Sequence, residues 1–165
     1  MKDLQSIKFW IFDLDNTLYS GNTRVFEQVD KKMTEYISKK LKVDKEEAKK
    51  IQKNYFHKYN TTLNGMIKNH KINAHEFLEF VHDINIDFLQ KDPELAKEIE
   101  RLDGIKIIFT NGSRKHALNV TKRLGVDQLF DDIFDIVDCN FIPKPLMEPY
   151  KKLVEKHKID PKLCV

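Results

Sequence analysis

Phe9-Trp10-Ile11-Phe12 is an unbroken apolar run that stops abruptly at Asp13-Leu14-Asp15-Asn16-Thr17. A short apolar run without alternation suits a strand covered on both faces, as in a parallel sheet. Residues two apart on a strand point to the same side. Asp13 and Asp15 are therefore expected to emerge together at the strand's carboxyl end, where open α/β sheets bind ligands. Two carboxylates that close resist joint ionisation unless a cation or a shared proton relieves them. The plainer reading is an acidic turn in which Asp15, Asn16 or Thr17 caps a following helix. The apolar run before the pair and the Asn-Thr-Leu after it favour the reactive one.

From about Thr23 to Leu89 the pattern turns helical. Val25, Val29, Met33 and Ile37 recur every four residues and make one apolar stripe. Asp44 with Glu47 reads as a capping box, with Ala48, Ile51 and Tyr55 continuing the stripe behind it. Leu63, Met66, Ile67 and His70 suggest a third helix, and Asn73 with Glu76 repeats the capping signature before Phe77, Phe80 and Val81. The segment holds enough apolar faces for its own small bundle. After Asp92-Pro93 the chain returns to alternating elements. A helix carries Leu95, Ile99 and Leu102. A strand covers Ile105 to Phe109, a helix runs to Leu124 with Gly125 as a left-handed cap, and a third strand is expected over Phe134 to Val137. A helix from about Glu148 to His157 follows, and Cys164-Val165 reads as the start of another strand. Strand and helix alternation implies a parallel sheet with right-handed crossovers. The expected fold class is α/β, a Rossmann-like core over 1–21 and 92–165 with a helical insert over 22–91.

Composition narrows the classes. The 165 residues are 41% hydrophobic and 33% charged, enough for a core and a solvated surface. No apolar run reaches the roughly 18 residues of a membrane span, and Met1 to Gln5 lacks a signal-peptide apolar region. A cytoplasmic location with no membrane partner is the expectation. The net charge of +3 is spread along helices, which excludes a nucleic-acid stripe. Cys139 and Cys164 have no metal-ligand spacing and read as small core residues.

Two further segments carry chemistry. Thr110-Asn111-Gly112-Ser113 lies where a strand hands over to a helix, a natural phosphate seat. Gly112 permits close backbone approach, and Thr110 and Asn111 offer hydrogen bonds; Asn111 or Ser113 merely capping the helix fits equally well. Lys144 stands between Pro143 and Pro145, which restrict its backbone. An isolated loop lysine is ordinarily solvated surface, so Lys144 gains meaning only beside the other two segments.

Taken together, these residues resemble the haloacid-dehalogenase-like hydrolase superfamily. Asp13, Asp15 and Thr17 match its D-x-D-x-T strand end, Thr110 its second motif and Lys144 its third, and the insert sits where its helical cap belongs. Phe12 to Tyr19, Phe109 to Ala117 and the segment around Tyr55 to Asp83 look closest to the pyrimidine 5'-nucleotidase group. The resemblance implies that Asp13 attacks phosphorus and forms an aspartyl-phosphate, while Asp15 acts as general acid and base. It implies Mg²⁺ held by Asp13 and the Asp15 main-chain carbonyl, and phosphate oxygens held by Thr110, Asn111, Gly112 and Lys144. A carboxylate at Asp15 favours phosphate esters; dehalogenases of the superfamily place tyrosine there, and phosphonate-cleaving members alanine. The implied partner is a small phosphorylated metabolite, a nucleotide, rather than a nucleic-acid polymer. Tyr55, Tyr59, His70 and His82 are candidates to hold the base, although at helical spacing they also suit plain packing.

The superfamily's fourth motif, an acidic loop, does not occur by Val165. The sequence therefore suggests a chain truncated before that motif, with Phe9 to Phe12 as an exposed sheet edge. A natural short form with a binding or regulatory role and a phosphatase for sugar or other small phosphates are the alternatives.

Overall fold

The apolar runs pair in parallel. In the computed structural model, which describes residues 4–165, β1 (Phe9–Phe12), β2 (Ile105–Phe109) and β3 (Asp132–Phe134) lie side by side in that order. Phe9 sits beside Ile105, Phe12 beside Ile108, and Phe109 beside Phe134. Strand alternation sends the side chains two ways. Ile108 and Ile133 pack with Ile99 of α5 (Pro93–Glu100) and with Ala117, Val120 and Leu124 of α6 (Arg114–Leu124). Ile107, Phe109 and Phe134 face the other way, onto Leu153 of α7 (Met147–His157). The result is an α/β fold with helices on both faces of the sheet. Cys139 is buried in the second layer, where burial pushes its thiol up to about 11. That suits a packing residue.

Four helices are inserted between β1 and α5: α1 (Val25–Leu41), α2 (Lys45–Tyr59), α3 (Thr62–His70) and α4 (Ala74–Val81). Their starts follow the capping residues. Asp44 accepts a hydrogen bond from Glu47 N at 2.9 Å, and Asn73 accepts from both His75 N and Glu76 N. Val29, Ile37, Ala48, Met66, Phe77 and Val81 form a second core inside the insert, and Ile136 from the sheet side joins it. No helix among the described residues is long and apolar enough to cross a membrane.

The structure corrects three sequence readings. The third strand ends at Phe134 instead of running to Val137. Asp135 is the reason: its buried carboxylate accepts from Val137 N and Asp138 N at 3.0 Å and from Arg114 N at 2.7 Å, which folds the chain into a turn. All four residues of β1 are half-buried, where the run predicted full cover. The far edge of β1 is also not bare. Lys8 N donates to Leu163 O at 2.9 Å, Val165 N to Phe9 O at 3.0 Å, and Ile11 N to Val165 O at 2.8 Å. This short parallel pairing covers the edge as far as Ile11.

Candidate active site

Asp13 leaves the end of β1 with its side chain 46% exposed. The chain then turns back on itself, with Leu18 N bonded to Leu14 O at 3.0 Å and Asn16 in a left-handed conformation that asparagine tolerates. The turn returns Thr17 to Asp13, and its hydroxyl donates to Oδ2 at 2.9 Å. The other oxygen, Oδ1, lies 2.8 Å from Lys144 Nζ. The lysine also donates to Phe109 O and lies over the Phe109 ring, 4.8 Å from its centre. Asn111 sets this lysine in place. Its Nδ2 donates to Lys144 O at 3.1 Å and its Oδ1 accepts from Lys144 N at 2.8 Å, so both amide atoms engage the lysine's main chain.

Asp15 has different surroundings. Its side chain is 22% exposed, and Oδ1 accepts from the Tyr19 hydroxyl at 2.6 Å and from His116 Nε2 at 2.8 Å. Burial pushes its pKa up, but the hydrogen bond and charge of His116, with the Tyr19 hydroxyl, outweigh burial and hold the carboxyl below its ordinary value. Burial and the two neighbouring carboxylates hold the Tyr19 proton on, far above the usual phenol range. His116 stacks on His82, with ring centres 4.4 Å apart and planes 12° from parallel. His82 Nδ1 lies 2.9 Å from Ser113 Oγ, at the start of α6. Burial, then the charge of His116, bring the His82 pKa down to about 3.

Thr110 is buried at the end of β2, and its hydroxyl accepts from Gly112 N at 2.9 Å. A Cβ on Gly112 would come within 3.3 Å of Thr110 Oγ1, 3.4 Å of His116 and 3.7 Å of Asp15 Oδ2, so the glycine leaves the space between them open. Thus Asp13, Asp15, Thr110, Asn111, Gly112 and Lys144, distant in sequence, meet at the carboxyl ends of β1 and β2. A cleft of about 180 Å³ opens between Asp15, Asn111 and Gly112 and the insert, while Asp13 and Lys144 line an adjoining cleft beside Phe109 and Tyr150. Phe26, Met33, Phe56 and Leu63 wall the first, with Asp15, Gly112 and His116 at its floor.

Of the four insert residues singled out from sequence, only His82 lines that cleft. Tyr55, Tyr59 and His70 do not line it; they belong to the packing of α2 on α3. Tyr55 OH pairs with His70 Nε2 at 2.7 Å, Tyr59 bonds Asn69 at 3.3 Å, and the two tyrosine rings meet edge to face. Phe56, Phe26 and His116 were not anticipated. Phe56 follows Tyr55 by one position, a turn of about 100° on a helix, and that turn decides which ring reaches the cleft.

At the ends of two neighbouring strands of this α/β sheet, paired aspartates thus meet a threonine and the ammonium of a lysine from a later loop. The sequence profile of the haloacid dehalogenase-like hydrolases matches residues 7–165, and the chain belongs to this family. It is 30% identical over 136 residues to phosphate metabolism protein 8 of Saccharomyces cerevisiae. That match covers 76% of the chain, which spans only 42% of the yeast protein's length. Two solved structures share the fold. A Bacillus subtilis HAD-hydrolase, YfnB, bound to magnesium, has a TM-score of 0.54 at 16% identity, covering 96% of this chain and 76% of its own. The L-2-haloacid dehalogenase of Xanthobacter autotrophicus has a TM-score of 0.55 at 13% identity, covering 96% and 68%.

Proposed function

We propose that the protein hydrolyses phosphomonoesters of small cytoplasmic metabolites through an aspartyl-phosphate on Asp13, with pyrimidine nucleoside 5'-monophosphates as its substrates. One observation carries this reading: two carboxylates two residues apart stand in opposite surroundings. Asp13 is half-exposed beside a cation, and Asp15 is largely enclosed by a histidine and a phenol. Paired carboxylates with divergent environments mark divided roles. Asp13 attacks phosphorus as the ester oxygen departs with a proton from Asp15. Asp15 then takes a proton from the water that cleaves the acyl phosphate, which restores Asp13. In the free protein Asp15 is ionised, the form the second step needs. An arriving phosphate opposes that negative charge and favours the protonated form that the first step needs.

Lys144 balances the phosphate charge, and the Thr110 hydroxyl and the Gly112 gap fit its oxygens. Among the described residues no three His, Cys, Asp or Glu side chains gather into a metal cage. The Asp13 carboxylate and Asp15 main-chain carbonyl are instead hard oxygens of the kind Mg²⁺ uses, completed by water and substrate phosphate. Bound there, Mg²⁺ would offset the repulsion between carboxylate and phosphate; the magnesium in the Bacillus relative's structure supports this. Residues 22–91 act as a cap over a core of 1–21 and 92–165. The apolar walls of the cleft, Phe26 and Phe56 above all, suit the flat face of a base better than a sugar.

The test is turnover of 4-nitrophenyl phosphate, UMP, CMP and sugar phosphates by purified protein with Mg²⁺. D13N should abolish turnover, and a radiolabelled phosphate should be trapped on Asp13 in the wild type. D15N should slow turnover by about 10²–10⁴-fold. Sugar phosphates preferred over UMP and CMP would refute the substrate class. Undiminished activity in D13N would refute the mechanism.

A further inference from the structure

Asp15 is held by one oxygen only. Tyr19 and His116 both donate to Oδ1, at 2.6 and 2.8 Å. A carboxylate oxygen has two lone-pair sites, and both are taken. Among the described residues no hydrogen bond reaches Oδ2, which lies toward the gap at Gly112 and the cleft floor. The two donors are themselves fixed. Tyr19 is 7% exposed and packs among Leu14, Leu18 and Val25. His116 is 3% exposed, its main-chain N–H bonds Ser113 Oγ at 3.3 Å, and its ring is stacked on His82. A helix start and a turn thus converge on one carboxylate oxygen, and the insert's His82 backs the histidine that reaches it.

We infer that His116 and Tyr19 are positioning residues that clamp Oδ1 of Asp15 and reserve Oδ2 as the oxygen that exchanges the proton with the leaving group. The inference rests on the phosphatase reading above. Proton transfer requires the carboxyl within hydrogen-bond reach of the departing oxygen. A carboxylate free to turn about its Cβ–Cγ bond spends less time in that pose. The clamp therefore matters in proportion to how much the leaving group needs a proton.

That proportionality is the test. Values of kcat/KM, which report the first displacement, are compared for 4-nitrophenyl, phenyl and alkyl phosphates. The 4-nitrophenolate departs with little proton help, whereas an alkoxide requires it. H116F keeps a ring to stack on His82 but offers no N–H, whereas H116Q restores a donor. H116F should lose about tenfold or more on the alkyl ester and less than about threefold on the nitrophenyl ester. H116Q should recover most of the difference, and Y19F should show the same leaving-group dependence. In the metal-free wild type, the His116 Nε2–H should give a downfield, slowly exchanging NMR signal that shifts in D15N; this readout and Y19F decide the matter if H116F does not fold. An equal loss across the ester series, or an unprotected His116 N–H, overturns the clamp alone. A wild type that hydrolyses none of the esters overturns the phosphatase reading, and the clamp's catalytic role with it.

Discussion

Lys144 joins three things that are far apart in sequence: Asp13, the end of β2 through Phe109 O, and the side chain of Asn111. On the proposed phosphatase reading, removing its charge leaves Mg²⁺ alone to offset the repulsion between Asp13 and the phosphate. K144A is expected to lower kcat/KM on UMP by about 10²–10³-fold, the scale of losing one preorganised donor to a charged transition state. Steady-state kinetics on the folded variant check this. His82 makes a prediction about acid stability. Its folded pKa of about 3 lies below the ordinary 6.5, so between those values the unfolded chain binds a proton that the folded one refuses. The stability this neutral ring contributes is complete above pH 6.5 and is lost as pH falls toward 3, with a limiting slope of about 1.4 kcal/mol per pH unit for one proton. Urea midpoints taken at pH 7, 6 and 5 should fall in the wild type and fall less in H82F, where His157, which burial also holds below its ordinary pKa, still contributes. At this scale the strand-end residues were legible because a strand's alternation and its carboxyl end are local matters. His116 was not, because its partner Asp15 lies 101 residues away and nothing near either residue announces the pairing.

The elements themselves were largely readable. The helices start where Asp44, Asn73, Asp92 and Ser113 supply side-chain caps, and α6 stops at Gly125, whose φ is +75°. The third strand was misread because Val137 and Ile136 look like strand residues, whereas Asp135 offers the backbone three hydrogen bonds that a ladder would not. The aromatic stripe of α2 misled for another reason: periodicity shows that a face is apolar, not what it meets. That face meets α3 at Gly65, where an added Cβ would lie 2.4 Å from the Tyr55 Cβ. Backbone and side chain touch there only because the residue is glycine. G65A should therefore force α2 and α3 apart, costing about 1–3 kcal/mol as an overpacked contact. Its denaturant midpoint should drop while the residues around Asp13 stay in place.

At the scale of the whole molecule, the insert and the sheet share one residue above others. Ile136 follows β3, yet it is 1% exposed and sits inside the insert's core, with Val137 and Phe141 packed against the same cluster. Two bodies joined only by a pair of linkers would melt separately; these two share a core. I136A should cost about 2–5 kcal/mol, as large-to-small changes in cores do. Fluorescence of Trp10, on the sheet, and hydrogen exchange in α3, within the insert, should report one coincident transition in the wild type. Separation of the two in I136A would show where the cooperativity lies. The same loop sets a limit on modularity. Helical inserts look like exchangeable parts, bounded by two crossing points in the chain. Here the part is attached elsewhere too, at His82 against Ser113 and His116 and, about 45 residues beyond the second crossing, in the stretch that leads on to Lys144. A chimera that swapped only residues 22–91 would leave Ile136, Val137 and Phe141 against a foreign surface. A successful graft has to carry the 136–141 loop with it, and with that loop the register of the lysine.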